Sequence, residues 1–242
     1  MVQRLATVDT TCIEVVDDGL HALDKKRVIV LKDAAKLRGI KYTVHAPFAD
    51  TNIASPSKPM LNVTLKRLKQ SMAYASALNA QLWIFHPGSK TGISMFYPGE
   101  DWKQNSESIC ELRETAEEYG LNIAIENLPE KYGFIMKTPE DFQKFYKETG
   151  LNDVGIVLDV GHANLEGQIE SFLRRMPDKI VHMHVSDNMG ENDQHLGVGY
   201  GKINWQRFAE TLREIAYDKT VMVESTEHVK ESLQKLKQLL AK

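Results

Sequence analysis

The chain has 242 residues, of which 42% are hydrophobic and 26% are charged, and its formal net charge is −3. This composition is typical of an ordinary globular protein and excludes a fibrous or disordered chain. The small negative charge provides no overall basic field that would attract the phosphate backbone of a nucleic acid.

Seven short segments rich in β-branched residues alternate with longer segments along the chain. The predicted strands are 12–16, 41–45, 81–86, 121–126, 154–159, 179–185 and 220–224. Their residues are almost all apolar, as expected for the strands of a parallel sheet that is covered on both faces.

The longer segments have apolar residues at spacings of three and four, which predicts amphipathic helices. The clearest stripe consists of Leu61, Leu65, Leu68, Met72 and Ala75. Gly39 and Gly120 stand where a helix ends and the next strand begins, a position that favours a left-handed glycine. The glycine-rich stretch at 197–201 lacks the spacing of a dinucleotide-binding motif, and we interpret it as a flexible loop.

Strict alternation of strands and helices predicts an α/β fold with a parallel sheet, and a (β/α)8 TIM barrel in a single domain over 1–242 is the first choice. An open doubly wound sheet is the second. A barrel needs eight strands, whereas seven are visible, and residues 1–10 have the pattern of a helix. The first βα unit is therefore lacking or truncated, or the barrel closes in an unusual way. An exposed sheet edge there would favour a homo-oligomer.

Titratable side chains lie at or near the end of nearly every predicted strand. They are His45, His86, Glu126, Asp159, His184 and Glu224, and Glu14 lies within the first visible strand. In a barrel of parallel strands these ends lie on one face, which carries the active site. His162, Asp193 and His195 follow in the adjoining loops. We expect His182 to point away from His184, and we leave Glu14 outside the ligand set.

Carboxylates and imidazoles that gather at a partly dry site repel or desolvate one another unless a positive charge lies among them. Lys and Arg are scarce at these strand ends. A single histidine at a strand end is more often a structural residue, but the full set favours a divalent metal. Mixed Glu, Asp and His ligands suit Mn, Co, Mg or Zn and do not distinguish among them.

Short motifs in the chain resemble those of the xylose isomerase-like TIM barrel superfamily, which includes sugar isomerases and epimerases and the endonuclease IV enzymes. They are HAPF (45–48), HPG (86–88), IEN (125–127), LDVGHAN (158–164), HVSDN (184–188), DQHLGVGYGKINW (193–205) and VE (223–224). The motifs run in order over nearly the whole chain, although the first strand of the family is not found.

For the sugar enzymes, the resemblance implies one cation held by Glu126, Asp159, His184 and Glu224. Glu126 and Glu224 are implied to remove and return a proton at a carbon next to a carbonyl, and His162 to hold a substrate hydroxyl. For the endonuclease IV enzymes, the resemblance implies up to three zinc ions and cleavage of abasic DNA. That larger ligand set corresponds to His45, His86, Glu126, Asp159, His162, His184, Asp193, His195 and Glu224.

The loop at 186–193, SDNMGEND, is short and acidic, whereas an enzyme that grips DNA would place Lys or Arg there. Phe48 could act as a wedge on DNA, but we favour a wall of a small-molecule pocket. The sequence thus predicts a metal-dependent sugar or sugar-phosphate isomerase/epimerase. An abasic-site endonuclease is the alternative, and a catalytically idle metal or sugar binder is the third hypothesis.

Cysteine usage and the absence of targeting signals predict the compartment. Cys12 and Cys110 are the only two cysteines, which favours reduced thiols in a reducing compartment. The N-terminus lacks the apolar core of a signal peptide, and no apolar run approaches the roughly 18–20 residues of a membrane span. We therefore expect a cytoplasmic protein with no membrane partner.

Overall fold

The computed structural model describes residues 10–129 and 133–241. The chain divides into two compact units. Unit one contains the residues up to Ile125 together with Thr149–Val154, and unit two contains Glu126–Glu148 and the residues from Gly155 onward. The predicted helix at 1–10 falls, except for Thr10, outside the described residues.

Strands and helices alternate through the described ranges. The strands are β1 Cys12–Val16, β2 Lys41–His45, β3 Trp83–Phe85, β4 Ile123–Glu126, β5 Gly155–Asp159, β6 Ile180–Val185 and β7 Thr220–Val223. The α-helices are α1 Lys25–Arg38, α2 Lys58–Ala77, α3 Glu100–Glu118, α4 Pro139–Thr149, α5 Val160–Leu165, α6 Ile169–Arg175, α7 Trp205–Glu214 and α8 Val229–Leu240. Each predicted strand is present, with ends that differ by no more than two residues.

In unit one, β1 to β4 pair in chain order, and all three pairings are parallel. The predicted stripe of α2 is buried, since Leu61, Leu68 and Met72 are exposed by 3%, 2% and 0%. Gly39 and Gly120 have φ angles of 65° and 63°, so both glycines adopt the predicted left-handed conformation after a helix.

In unit two, β5, β6 and β7 pair in parallel and again in chain order. Every residue of β5 is buried. Gly155 begins β5 because a side chain there has no room: an added Cβ would lie 2.4 Å from Cγ2 of Val181 on β6. The amide of Asn127 donates to the Val157 carbonyl at 3.3 Å, which sets the chain after Glu126 alongside β5.

Among the helices of the described ranges, none combines the length and the apolar character needed to cross a membrane.

Candidate metal centre

Four side chains of unit two meet where its strands end. Glu126 is the last residue of β4, Asp159 the last of β5, and His184 lies next to the end of β6. Glu224 follows β7 directly, and its amide donates to the Val185 carbonyl at 3.0 Å. Each of the four offers one ligand atom, and these atoms lie within 4.8 Å of one another. Parallel pairing explains the convergence, since parallel strands carry their C-terminal ends to the same edge.

The four side chains form a carboxylate-rich group in which three are buried and the Glu224 side chain is 23% exposed. Glu126, Asp159 and His184 are exposed by 2%, 0% and 0%. Nδ1 of His184 lies 3.4 Å from Oε2 of Glu126 and 3.5 Å from Oε1 of Glu224. Three carboxylates at such short range are destabilised by desolvation and mutual repulsion unless a cation is shared among them.

Asp159 shows the electrostatic cost most clearly. Its Oδ2 is buried and has no hydrogen-bond partner among the described residues. Burial, reinforced by the negative charge of Glu126, raises the pKa of Asp159 above its ordinary value. The orphaned carboxylate oxygen and the mixed oxygen and nitrogen donors fit a divalent cation. The residues therefore suit the divalent metal that the resemblance implies.

His162 extends this group from the first turn of α5. Asp159 caps α5, because its Oδ1 accepts the His162 amide at 2.6 Å. The His162 ring places Nδ1 2.9 Å from the Asn127 carbonyl and 3.3 Å from Oε1 of Glu126. Burial acts to lower the pKa of His162, but the neighbouring carboxylates, above all Asp159, outweigh it and raise that pKa well above its usual value.

Asp193 and His195 reach the other edge of the His162 ring. Oδ2 of Asp193 lies 3.2 Å from Nε2 of His162 and 3.0 Å from Nε2 of His195. Burial acts to raise the pKa of Asp193, but hydrogen bonds to the two imidazoles outweigh it and hold the pKa well below its usual range. The hydrogen bond to Asp193 raises the pKa of His195 to about 9. These three residues are a second group whose atoms could hold a metal ion.

His195 adopts a φ angle of 47°, which is uncommon for a residue with a side chain. The Thr226 amide donates to the His195 carbonyl at 3.0 Å and its hydroxyl donates to the same oxygen at 3.3 Å. These two hydrogen bonds hold the His195 backbone in that conformation.

Asn127 is a buried residue of this centre that sequence reasoning missed. Its Oδ1 accepts the Asp159 amide at 2.7 Å, and its Nδ2 donates to the Asp159 carbonyl at 3.2 Å. Asn127 therefore fixes the backbone of one candidate ligand and, through its own carbonyl, the ring of His162. A polar residue directly after Glu126, at the end of an apolar strand, was the available signal.

The expectation that His182 points away from His184 is wrong. The two rings contact at right angles with centroids 5.2 Å apart, and both residues are buried. Side chains alternate along a strand, so residues two apart share a face. His184 stays in the candidate ligand group because its Nδ1 lies near the carboxylates of both Glu126 and Glu224.

His45 and His86 come together in unit one, at the ends of two neighbouring strands. Their ring centroids are 4.9 Å apart, and Phe48 lies 5.3 Å from each ring. Phe48 remains 45% exposed, so one side of this aromatic cluster is open to solvent. Glu14, the strand residue left outside the ligand set, accepts a hydrogen bond from the Thr43 hydroxyl at 2.8 Å.

Parallel strands separated by helices, with carboxylates and imidazoles gathered at strand ends, define an α/β protein of the TIM-barrel class with a metal-competent site. The family model described as xylose isomerase-like TIM barrel matches residues 2–240. The chain belongs to this family. Both the predicted fold class and the predicted resemblance are confirmed.

Individual relatives agree with this placement. The chain is 31% identical to an uncharacterized protein of Methanocaldococcus jannaschii over 226 residues, which is 92% of this chain and 77% of that protein. It is 26% identical to the D-psicose 3-epimerase of Ruminiclostridium cellulolyticum over 232 residues, 92% of this chain and 76% of that protein. The crystal structure of a D-tagatose 3-epimerase-like protein superposes with a TM-score of 0.93 at 30% identity, covering 99% of this chain and 91% of that one.

Proposed function

We propose that the protein is a divalent-metal-dependent sugar isomerase or epimerase that transfers a proton at a carbon next to a carbonyl. One observation carries the proposal: ligand atoms of Glu126, Asp159, His184 and Glu224 lie within 4.8 Å of one another. The similarity to ketose 3-epimerases favours epimerisation over the other reactions of the superfamily.

The four side chains would hold the cation, which would polarise the substrate carbonyl and make the neighbouring C–H bond more acidic. Glu126 and Glu224 are the two carboxylates that would exchange the proton. One removes it from the carbon, and the other delivers a proton to the same or the adjacent carbon. Delivery on the opposite face of the same carbon gives an epimer, whereas delivery to the neighbouring carbon gives an isomer.

The other residues of the centre would orient the substrate and exclude water. His162 has one ring nitrogen on the Asn127 carbonyl and the other on Asp193, so its plane is fixed from both edges. Because both ring nitrogens are engaged, a substrate hydroxyl would bind Nε2 of His162 by sharing or replacing the contact with Asp193. Burial of Glu126 and Asp159 keeps the local dielectric low, which strengthens each electrostatic contact with the substrate.

The test compares wild-type protein with Glu126→Gln in D2O, with ketoses and ketose phosphates and with Mn, Co, Mg and Zn supplied in turn. We expect deuterium at the reacting carbon in the wild type and a kcat lower by at least about 10²–10⁴-fold in the variant. Glu191→Gln makes the same chemical change at an exposed residue of the acidic loop and should leave turnover unchanged. Full turnover by Glu126→Gln would eliminate the mechanism.

Metal counted per chain in the same samples separates loss of a base from loss of the cation. About one ion per chain in both proteins would assign the defect to proton transfer. Close to three zinc ions per chain would instead bring the second group, His162, Asp193 and His195, into use and would direct the search to an abasic-site phosphodiesterase.

A further inference from the structure

Asp187 is a fully buried carboxylate just beyond the end of β6 that the proposed mechanism leaves unused. Its backbone forms an isolated antiparallel bridge with Leu196, through two hydrogen bonds of 2.8 Å each. The bridge brings Leu196 alongside Asp187, so the residues between them form a loop after β6. The chain continues from Leu196 through the glycine-rich stretch to residue 203. We refer to residues 188–203 as the 188–203 loop.

The carboxylate of Asp187 is held by four N–H donors, two on each oxygen. Oδ1 accepts the amides of Asn188 at 2.9 Å and Ile203 at 3.1 Å. Oδ2 accepts the amide of Gly199 at 2.9 Å and the indole N–H of Trp205 at 2.7 Å. A buried anion is stable without a cation when neutral donors saturate it in this way. Three of the donors belong to the 188–203 loop and the fourth, Trp205, begins α7, so the carboxylate joins both ends of the loop to that helix.

We interpreted the glycine-rich stretch at 197–201 as a flexible loop. In the structure its glycines pack against the Asp187 carboxylate and neighbouring side chains. A Cβ on Gly201 would lie 2.3 Å from Oδ1 of Asp187 and 2.4 Å from the Asn188 carbonyl oxygen. The amide of Val198 is also tied down, to the Ser232 hydroxyl at 2.9 Å. The glycines therefore permit a close approach of backbone to a buried anion.

The 188–203 loop carries Asp193 and His195. The carboxylate of Asp193 contacts Nε2 of His162, and His195 contacts the same carboxylate oxygen. Asn188 connects the same loop to α5, since its Nδ2 donates to the Gly161 carbonyl at 2.8 Å. The position of the loop is thus transmitted to His162 by two routes, one through Asp193 and one through the backbone of α5.

We propose that Asp187 is a positioning residue, which fixes the 188–203 loop so that Asp193 and His195 hold the ring of His162 in place. This inference deepens the proposed function and rests on it for the catalytic consequence. Among the described residues, the carboxylate of Asp187 is hydrogen-bonded to Asn188, Gly199, Ile203 and Trp205 and to none of the four candidate ligands, so it acts on His162 through the 188–203 loop.

An isosteric substitution isolates the role of the carboxylate. Asp187→Asn keeps the volume but leaves one acceptor oxygen, and its NH2 group meets two N–H donors that it cannot bond. Trp205→Phe is milder, because it removes one donor and leaves the anion with three. Gly201→Ala displaces the same carboxylate by steric contact, and Gly92→Ala, where an added Cβ meets nothing within 4 Å, is the matched control.

The first readout needs no substrate. Imidazole ¹H–¹⁵N spectra of the metal-free full-length protein report the hydrogen bonds at the ring nitrogens of His162 and His195. We expect both signals to shift in Asp187→Asn, Gly201→Ala and Trp205→Phe, and to stay in place in Gly92→Ala. Unchanged signals in any folded variant of Asp187 or Trp205 would overturn the proposal. If Asp187→Asn does not fold, Trp205→Phe decides the matter alone.

The second readout separates positioning from general damage. Titration with Mn²⁺ should give the same affinity in wild type and Asp187→Asn within about twofold, whereas kcat/KM should fall by about 10–100-fold, as for other outer residues that orient a site. Equal losses of metal affinity and activity would refute the proposal and assign Asp187 a structural role for the entire centre. Shifted imidazole signals in a protein without sugar turnover would support the positioning role and reject the proposed function.

Discussion

Asn127→Ala is the sharpest test of how the candidate centre is built. The substitution deletes hydrogen bonds of 2.7 Å and 3.2 Å to the Asp159 backbone, at a residue that is 1% exposed. The Asp159 N–H and carbonyl lose these buried partners, which costs about 1–3 kcal/mol for each group left unsatisfied. The sum is about 2–6 kcal/mol in the free energy of unfolding, or a fall in Tm of roughly 4–24 °C for a chain of this size.

Urea denaturation followed by circular dichroism measures this change, and Mn²⁺ titration measures its effect on the site. We expect affinity for Mn²⁺ to weaken by about 10–100-fold, because Asp159 is no longer held in place. Asn122→Ala, the control, alters an exposed asparagine just before β4, the strand that Asn127 follows. Its free energy of unfolding should stay within about 0.5 kcal/mol of the wild type. If Asn127→Ala matches that control in both measurements, the claim that Asn127 supports the centre is wrong.

Two further predictions concern packing and buried charge. Arg67→Met should lower the free energy of unfolding by about 3–5 kcal/mol. The reason is that the Asp17 carboxylate is 0% exposed and loses its ion pair with the guanidinium group, 2.7 Å from Oδ1. Arg174→Ala breaks a surface ion pair with Glu214 and should lower the free energy of unfolding by less than about 1 kcal/mol. Equal losses of stability in Arg67→Met and Arg174→Ala would contradict the reasoning. Gly155→Ala should destabilise by about 1–3 kcal/mol through overpacking against Val181. The added change Val181→Ala should recover part of that loss, and a purely additive double variant would argue against the contact.

The chemistry of the candidate site was largely readable in the sequence. Glu126 and Asp159 each end an apolar run, His184 lies one residue before the end of another, and a buried run that stops on a titratable side chain is a conspicuous pattern. Parallel strands then require these side chains to gather at one edge. That logic predicted that the strand-end side chains converge, and the resemblance singled out the four residues of unit two. The structure brings those four together within unit two, and it brings His45 and His86 together within unit one.

The supporting residues could not be predicted in the same way. Asn127, Asp187 and Asn188 are common polar types, and nothing in their local spacing says which backbone groups they bond. Their roles depend on segments distant in the chain, such as Trp205 for Asp187 and the Asp159 backbone for Asn127. Hydrogen-bond partners of this kind exist only after the strands and loops have packed.

The sequence by itself determined the strands, the helices, the left-handed glycines after helices and the identity of the metal-competent side chains. Periodicity and residue type are local properties, and burial of apolar runs is sufficient to order them. The tertiary structure alone decided that Asn127 holds the Asp159 backbone and that the glycine-rich stretch packs against a buried carboxylate. Orientation and hydrogen bonding arise from close packing between distant segments, which one-dimensional patterns do not encode.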